Sequence, residues 1–235
     1  MKDVSRTAWN DFILCKRCFY LQRKLKIRPI GSPQHVINKR VDNLLKEEFD
    51  IYREKQEPHP IFKKYNLNFV PLKIEKEKLD SFRNNRKGVR AKSLKTNFTI
   101  YGAVDDLWFN KDTNEIVVVD YKATSNKYEI NYVNSKMSYH KAYLRQLDFY
   151  AYLLKLNKFK VFKTGYWIVC NARNEEQKTF DGKLNFKIDL LSYNVNTDYI
   201  EDTLVELEKC YNSDKVPALN PMCDICRWQK ETSKI

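Results

Sequence analysis

The stretch that most constrains this chain is IVVVDYKATS, residues 116–125. Its four consecutive β-branched aliphatics, Ile116 to Val119, leave no polar face, so the run reads as a strand covered on both sides. That buried strand runs straight into Asp120, Tyr121 and Lys122. Side chains two residues apart on a strand share a face, so a carboxylate and an ammonium leave the core together. A strand emerging into water with a surface ion pair fits this pattern. So does a metal ligand beside a catalytic lysine, and the rest of the chain has to decide.

The segment before it supplies a strand partner. NFTIYGAVDDLWFN, residues 97–110, reads as one long strand, KDTN as a turn and EIVVVDYKA as the antiparallel return. Upstream, Trp9, Phe12, Ile13, Phe19 and Tyr20 recur at helical spacing within residues 6–26. A second helix over about 35–55 carries Ile37, Val41, Leu44, Leu45, Phe49 and Tyr52 on one stripe. PHP at 58–60 breaks it. A short strand near 67–74, a polar helix near 75–85 and the basic stretch FRNNRKGVRAKSLK follow. After the hairpin come a helix over about 137–157, the strands KTGYWIVCNA and LNFKIDLLSY, and a long helix over about 197–212. The expected fold is α/β, a central mixed sheet flanked by helices.

With only five glycines and seven prolines among 235 residues, long flexible linkers are not expected, and residues 1–235 read as a single domain. The formal charge of +13 suits a polyanionic partner such as nucleic acid. Lysines spread along the whole chain favour a basic folded surface over a basic arm. No window is long and apolar enough to span a bilayer, and MKDVSRTAWNDFILC lacks the features of a signal peptide. The expectation is a cytoplasmic protein with no membrane partner, whose six cysteines are reduced or metal-bound.

Strand alternation puts Asp105 and Asp106 on opposite faces, and a short hairpin allows either to join Asp120 and Lys122. Such a grouping serves metal-assisted phosphodiester hydrolysis. Magnesium takes a few carboxylate oxygens and keeps positions for water and phosphate; Asp105, Asp120 and the main-chain carbonyl of Tyr121 would be its protein ligands. Lys122 would orient the attacking water and offset charge in the transition state. Two helices add polar residues to apolar faces. Gln146 and Tyr150 are neighbours four apart on the 137–157 helix, and Asp42 and Glu48 border or interrupt the stripe of the 35–55 helix, where an inward carboxylate with nothing to bind is costly.

The order of these signals resembles the PD-(D/E)XK nucleases, in particular their RecB-like branch. That branch has a helix with a histidine or acid, then Gly-x-x-Asp, Asp/Glu-x-Lys and Gln-x-x-x-Tyr. Here they read as Asp42, Gly102 with Asp105, Asp120 with Lys122, and Gln146 with Tyr150. The Gly-x-x-Asp offset selects Asp105. Asp42 stands where the branch frequently has histidine, with Asn38 where a glycine would sit. The resemblance implies a magnesium- or manganese-dependent deoxyribonuclease, more an exonuclease than an endonuclease. It would act on single-stranded DNA or DNA ends in repair, recombination or defence, alone or with a helicase or another subunit. The rival expectation is a nucleic-acid-binding module on a nuclease fold that no longer cuts. Arg83, Arg86, Lys87, Arg90, Lys92 and Lys95 are the expected phosphate contacts, with nearby tyrosines for base stacking.

Cys15 with Cys18 and Cys223 with Cys226 form two C-x2-C pairs, one at each end of the chain. Their spacing predicts a four-thiolate metal site joining segments 1–30 and 213–235. Spacing suits zinc or an iron–sulfur cluster equally. The resemblance extends to CRISPR-associated exonucleases and AddB-type nuclease domains, and CKRCFYLQRK is similar to their N-terminal cysteine segment. It implies a [4Fe–4S] cluster, with zinc as the alternative. Their usual division is one cysteine before and three after; here it is two and two.

Overall fold

The computed structural model describes residues 2–29, 31, 35–172 and 177–234. The strand carrying the opening motif, β6 (Glu115–Thr124), is the middle strand of a five-stranded mixed sheet of order β2-β5-β6-β7-β8. It runs antiparallel to β5 (Asp106–Asn110) and parallel to β7 (Thr164–Asn171). β2 (Phe69–Pro71) and β8 (Lys187–Asn194) pair antiparallel at the two edges. The parallel pair requires a crossover, and α6 (Ser138–Leu156) supplies it.

Both faces of β6 are covered, as its composition requires. Ile116 and Val118 pack with Leu107, Trp167 and Val169 beneath Leu147, Ala151 and Leu154 of α6. Val117 and Val119 face the other way, toward Leu45 and Phe49 of α3 (Val36–Lys55) and Phe62 of α4 (Pro60–Lys64). Trp108 is wholly buried and stacks on Phe49 with centroids 5.4 Å apart. The long helices α3 and α6 therefore sandwich the sheet. α5 (Lys76–Arg83), α7 (Ile200–Asn212) and α8 (Asp224–Thr232) complete the helices of the described residues C-terminal to α4. Among the described residues no helix is long and apolar enough to cross a membrane.

Two expected elements are interrupted, each for a physical reason. Residues 97–110 are not one strand. β4 (Thr99–Gly102) belongs to a separate three-stranded sheet, parallel to β1 (Asp3–Ser5) and antiparallel to β3 (Val89–Lys92), while β5 starts only at Asp106. At the break Gly102 lies against α6: a Cβ there would meet Tyr150 Cε1 at 2.7 Å. The facing turn also needs a glycine, because Gly88 has φ +62° and its Cβ would sit 2.5 Å from the Gly102 carbonyl oxygen. The helix expected within 6–26 splits into α1 (Arg6–Leu14) and α2 (Lys16–Arg23), since Cys15 is extended and its sulfur accepts the Cys18 N–H at 3.4 Å. The α3 stripe is narrower than expected: Leu45 and Phe49 are buried, Ile37 and Leu44 are exposed, and Arg53 points inward.

Arg53 belongs to a buried ionic cluster. It donates to the Leu72 carbonyl at 2.6 Å, to Asp50 at 3.1 Å and to Asp106, while Arg83 donates to Asp50 at 2.6 and 3.0 Å and to Asp106 at 3.3 Å. The Tyr121 hydroxyl donates to the other Asp106 oxygen at 2.7 Å. Two carboxylates face two guanidiniums, a balanced set. Removing Asp106, which is fully buried, would leave two buried cations short of a partner, so Asp106→Ala should cost about 3–5 kcal/mol. Asp105→Asn should stay within about 1 kcal/mol. Urea unfolding of both variants checks this; equal losses would contradict the assignment of Asp106 to the framework.

Candidate active site

The site forms where β6 outruns β5. Their pairing ends at Asp106 with Val119, so residues 120–124 keep β7 on one edge and, among the described residues, have no strand on the other. Tyr121 N–H, lacking a strand partner, donates to Asp105 Oδ2 at 3.1 Å. N–H and C=O of one strand residue face the same neighbour, so the Tyr121 carbonyl opens onto the same gap. On the α6 face, Lys122 Nζ bonds Asp120 Oδ2, reaches Gln146 Oε1 at 3.3 Å and lies 4.7 Å from the Tyr143 ring centroid. Gln146 in turn donates to the Tyr150 hydroxyl at 3.0 Å. From α3, Lys46 bridges Asp42 at 2.7 Å and Asp105 at 3.1 Å.

These ionisable groups are not balanced. Three carboxylates (Asp42, Asp105, Asp120) face two ammonium groups (Lys46, Lys122), one negative charge in surplus. The Asp105 and Asp120 carboxyls lie near enough to act on each other electrostatically. Burial, reinforced by the Asp105 charge and opposed by Lys122, pushes the Asp120 carboxyl up to about 7. Asp105 is half-buried, and the desolvation that would raise it is outweighed by Lys46 and Lys122, which hold it below the usual carboxylate range. Burial and then Asp105 raise Asp42. Asp120 Oδ1 is buried, and among the described residues no hydrogen-bond donor reaches it. An unmet buried carboxylate oxygen is costly unless something satisfies it. A surplus negative charge, an orphaned oxygen and an all-oxygen donor set fit a hard divalent cation.

A family model described as the PD-(D/E)XK nuclease superfamily matches residues 3–230. The chain belongs to that superfamily. Its members are generally hydrolytic nucleases that use divalent metals. A solved structure described as "Crystal structure of SSO0001" is similar at 11% identity, covering 91% of this chain and 78% of that one with a TM-score of 0.44. No curated protein matches the chain.

Asp105, Asp120, Lys122, Gln146 and Tyr150 come together, and Asp42 joins them through Lys46. Glu48 does not. Its carboxylate bonds His59 Nε2 at 3.0 Å on the exposed side of α3. Six positions separate it from Asp42, which is about 120° around a helix. Lys46 is the functional-site neighbour that the sequence reading missed. It stands four residues after Asp42, the i,i+4 spacing of a helical ion pair, but an exposed pair has the same spacing.

The basic stretch divides. Arg83 turns inward to Asp50 and Asp106, a framework residue rather than a phosphate contact. Arg90 pairs with Asp3 and covers the Tyr101 ring, and Lys95 pairs with Asp202. Arg86, Lys87 and Lys92 stay exposed. The Arg86 and Lys87 amides bond Asn84 Oδ1, in the turn that Gly88 brings against Gly102. Cys15, Cys18, Cys223 and Cys226 cluster, with all four sulfurs within 4.8 Å of one another. Cys170 is a buried core side chain and Cys210 is half-buried.

A cation that satisfies Asp120 Oδ1 should stabilise the fold. Manganese at a hundredfold excess over its dissociation constant should add about 2.7 kcal/mol, read as a higher thermal midpoint, and Asp120→Asn should remove most of that gain. An undiminished gain in Asp120→Asn would place the ion elsewhere.

Proposed function

We propose that the protein is a magnesium- or manganese-dependent deoxyribonuclease of the RecB-like branch, cutting single-stranded DNA or DNA ends. The observation that carries the reading is the fully buried Asp120, with its unmet oxygen, next to the half-buried Asp105 and beside a lysine held by Asp120 and Gln146. Asp105, Asp120 and the Tyr121 carbonyl would hold the cation, with Asp42 next to them. When bound, the ion would polarise the phosphate and lower the pKa of a bound water.

The protein's own groups do the positioning. Lys122, its charged form favoured by Asp120 and Asp105 against the effect of burial, would orient the attacking water and offset charge on the phosphate. Gln146 restrains Lys122 and is itself restrained by Tyr150. Lys46 would balance the outer carboxylates. A second ammonium there keeps the surplus at one charge, so Lys46→Ala should tighten cation binding, read as a lower manganese concentration for half-maximal thermal stabilisation.

Support for a single strand comes from the segment after Lys122. Tyr128 and Tyr139 are exposed, and Tyr139 stands edge-on to the Tyr143 ring that lies under Lys122. Rings beside a cation suit unstacked bases. Arg86 and Lys87 would track the backbone. Cutting from ends rather than internally, and work with a helicase or another repair or defence subunit, rest on the RecB-like resemblance.

The rival reading, a binding module that no longer cuts, is separated by one experiment. Asp120→Asn and Lys122→Ala should each abolish manganese-dependent cleavage of labelled single-stranded DNA while leaving its affinity within about threefold, because affinity rests on dispersed phosphate contacts. Wild-type protein that binds but never cuts would favour the rival. A second expectation concerns salt: Arg86→Ala with Lys87→Ala should reduce the slope of log affinity against log salt by about 0.7 per residue. An unchanged slope would remove these two from the interface.

A further inference from the structure

We propose that Cys15, Cys18, Cys223 and Cys226 hold a single tetrahedral zinc ion and not an iron–sulfur cluster. The spacing of the sulfurs carries this. Thiolates about 2.3 Å from one central ion stand about 3.8 Å apart at the corners of a tetrahedron. In a four-iron cluster each cysteine binds a different iron, and the thiolates are held about 6 Å apart. Here Cys15 and Cys226 are 3.6 Å apart, Cys18 and Cys223 3.6 Å, and Cys18 and Cys226 3.9 Å. No pair exceeds 4.8 Å. Four irons with their bridging sulfides do not fit among sulfurs this close, and none of the pairs is at disulfide distance.

The surroundings suit a compact dianionic centre. Each C-x2-C pair opens a helix: Cys15 caps α2 and Cys223 caps α8, so two positive helix ends converge on the thiolates. The Cys18 amide donates to Cys15 Sγ at 3.4 Å. Four protein sulfurs close a tetrahedral shell with no position left for water, which marks a structural rather than catalytic ion.

The ion also has something to hold. Cys226 is the one buried residue of α8, while Met222 and Trp228 are 88% and 69% exposed. The apolar cluster at this end consists of the four cysteines themselves. Arg17 to the Pro217 carbonyl at 2.9 Å and Asn220 to the Leu14 carbonyl at 3.2 Å are the tail's other ties to α1 and α2 between residues 217 and 220. The metal is thus the main fastening of α8. The Asp105–Asp120 site, built on β6, α6 and α3, has no member in this region.

The test is to express the full chain with both iron and zinc supplied, purify it without oxygen, and measure zinc, iron and acid-labile sulfide per chain with the visible spectrum. The expected result is one zinc, no sulfide and no colour. Cobalt exchange should give the intense visible bands of a tetrahedral thiolate site. A brown protein with iron and sulfide would overturn the proposal, as would one iron without sulfide or folded protein with no bound metal. Cys226→Ser should lose the zinc and expose residues 221–234 to protease. If that variant fails to fold, metal–sulfur distances by X-ray absorption on the wild type decide between one ion and a cluster. None of these readouts depends on cleavage, so they stand or fall apart from the nuclease reading.

Discussion

Tyr121 holds two adjacent aspartates in different ways, and the rest of the structure depends on that division. Its backbone N–H bonds Asp105 and its hydroxyl bonds Asp106. Asp106 is thereby drawn into a balanced cluster with Arg53, Arg83 and Asp50, which joins α3 and α5 to the sheet. Asp105 is left at the chain break, facing Asp120 and Lys46. One side of the strand carries a neutralised framework and the other a cluster with one uncompensated negative charge. Only the second is prepared to bind something.

The break between β4 and β5 makes this possible. Had residues 97–110 continued as one strand along β6, the Tyr121 N–H and carbonyl would both have been taken by its backbone. Ending the pairing at Asp106 frees them, and Asp105 occupies the vacated position. Gly102 and Gly88 permit the close approach at the break. α6 then lays Gln146 and Tyr150 across the opening from above, while α3 brings Asp42 and Lys46 from the opposite side. The candidate site is assembled by three elements that also enclose the core.

Much of this was legible in the sequence because it rests on periodicity. The all-aliphatic run at 116–119 specified a covered strand, and the Asp120/Lys122 alternation fixed their common face. Gln146 and Tyr150 met because they are four apart on one helix. The two C-x2-C pairs signalled that the termini come together. What stayed hidden lies in tertiary detail. GAVDD is compatible with an unbroken strand, so the break was invisible. Arg83 and Glu48 carry no local mark distinguishing a buried partner from a solvated charge; only the placement of Asp50 and Asp106, and of His59, decides them. Thiolate spacing is likewise a property of how two helices meet rather than of either C-x2-C pair.

The claim on which the account turns is that Asp105 and Asp120, and not Asp106, form the divalent-metal site. Anomalous scattering from a manganese-loaded crystal measures this directly. The expected result is a peak within coordination distance of the Asp105 and Asp120 carboxylates and the Tyr121 carbonyl oxygen, at about 2.0–2.6 Å, the range of hard-cation oxygen ligands. No peak between those carboxylates at saturating manganese, or a peak held instead by Asp106, would contradict it.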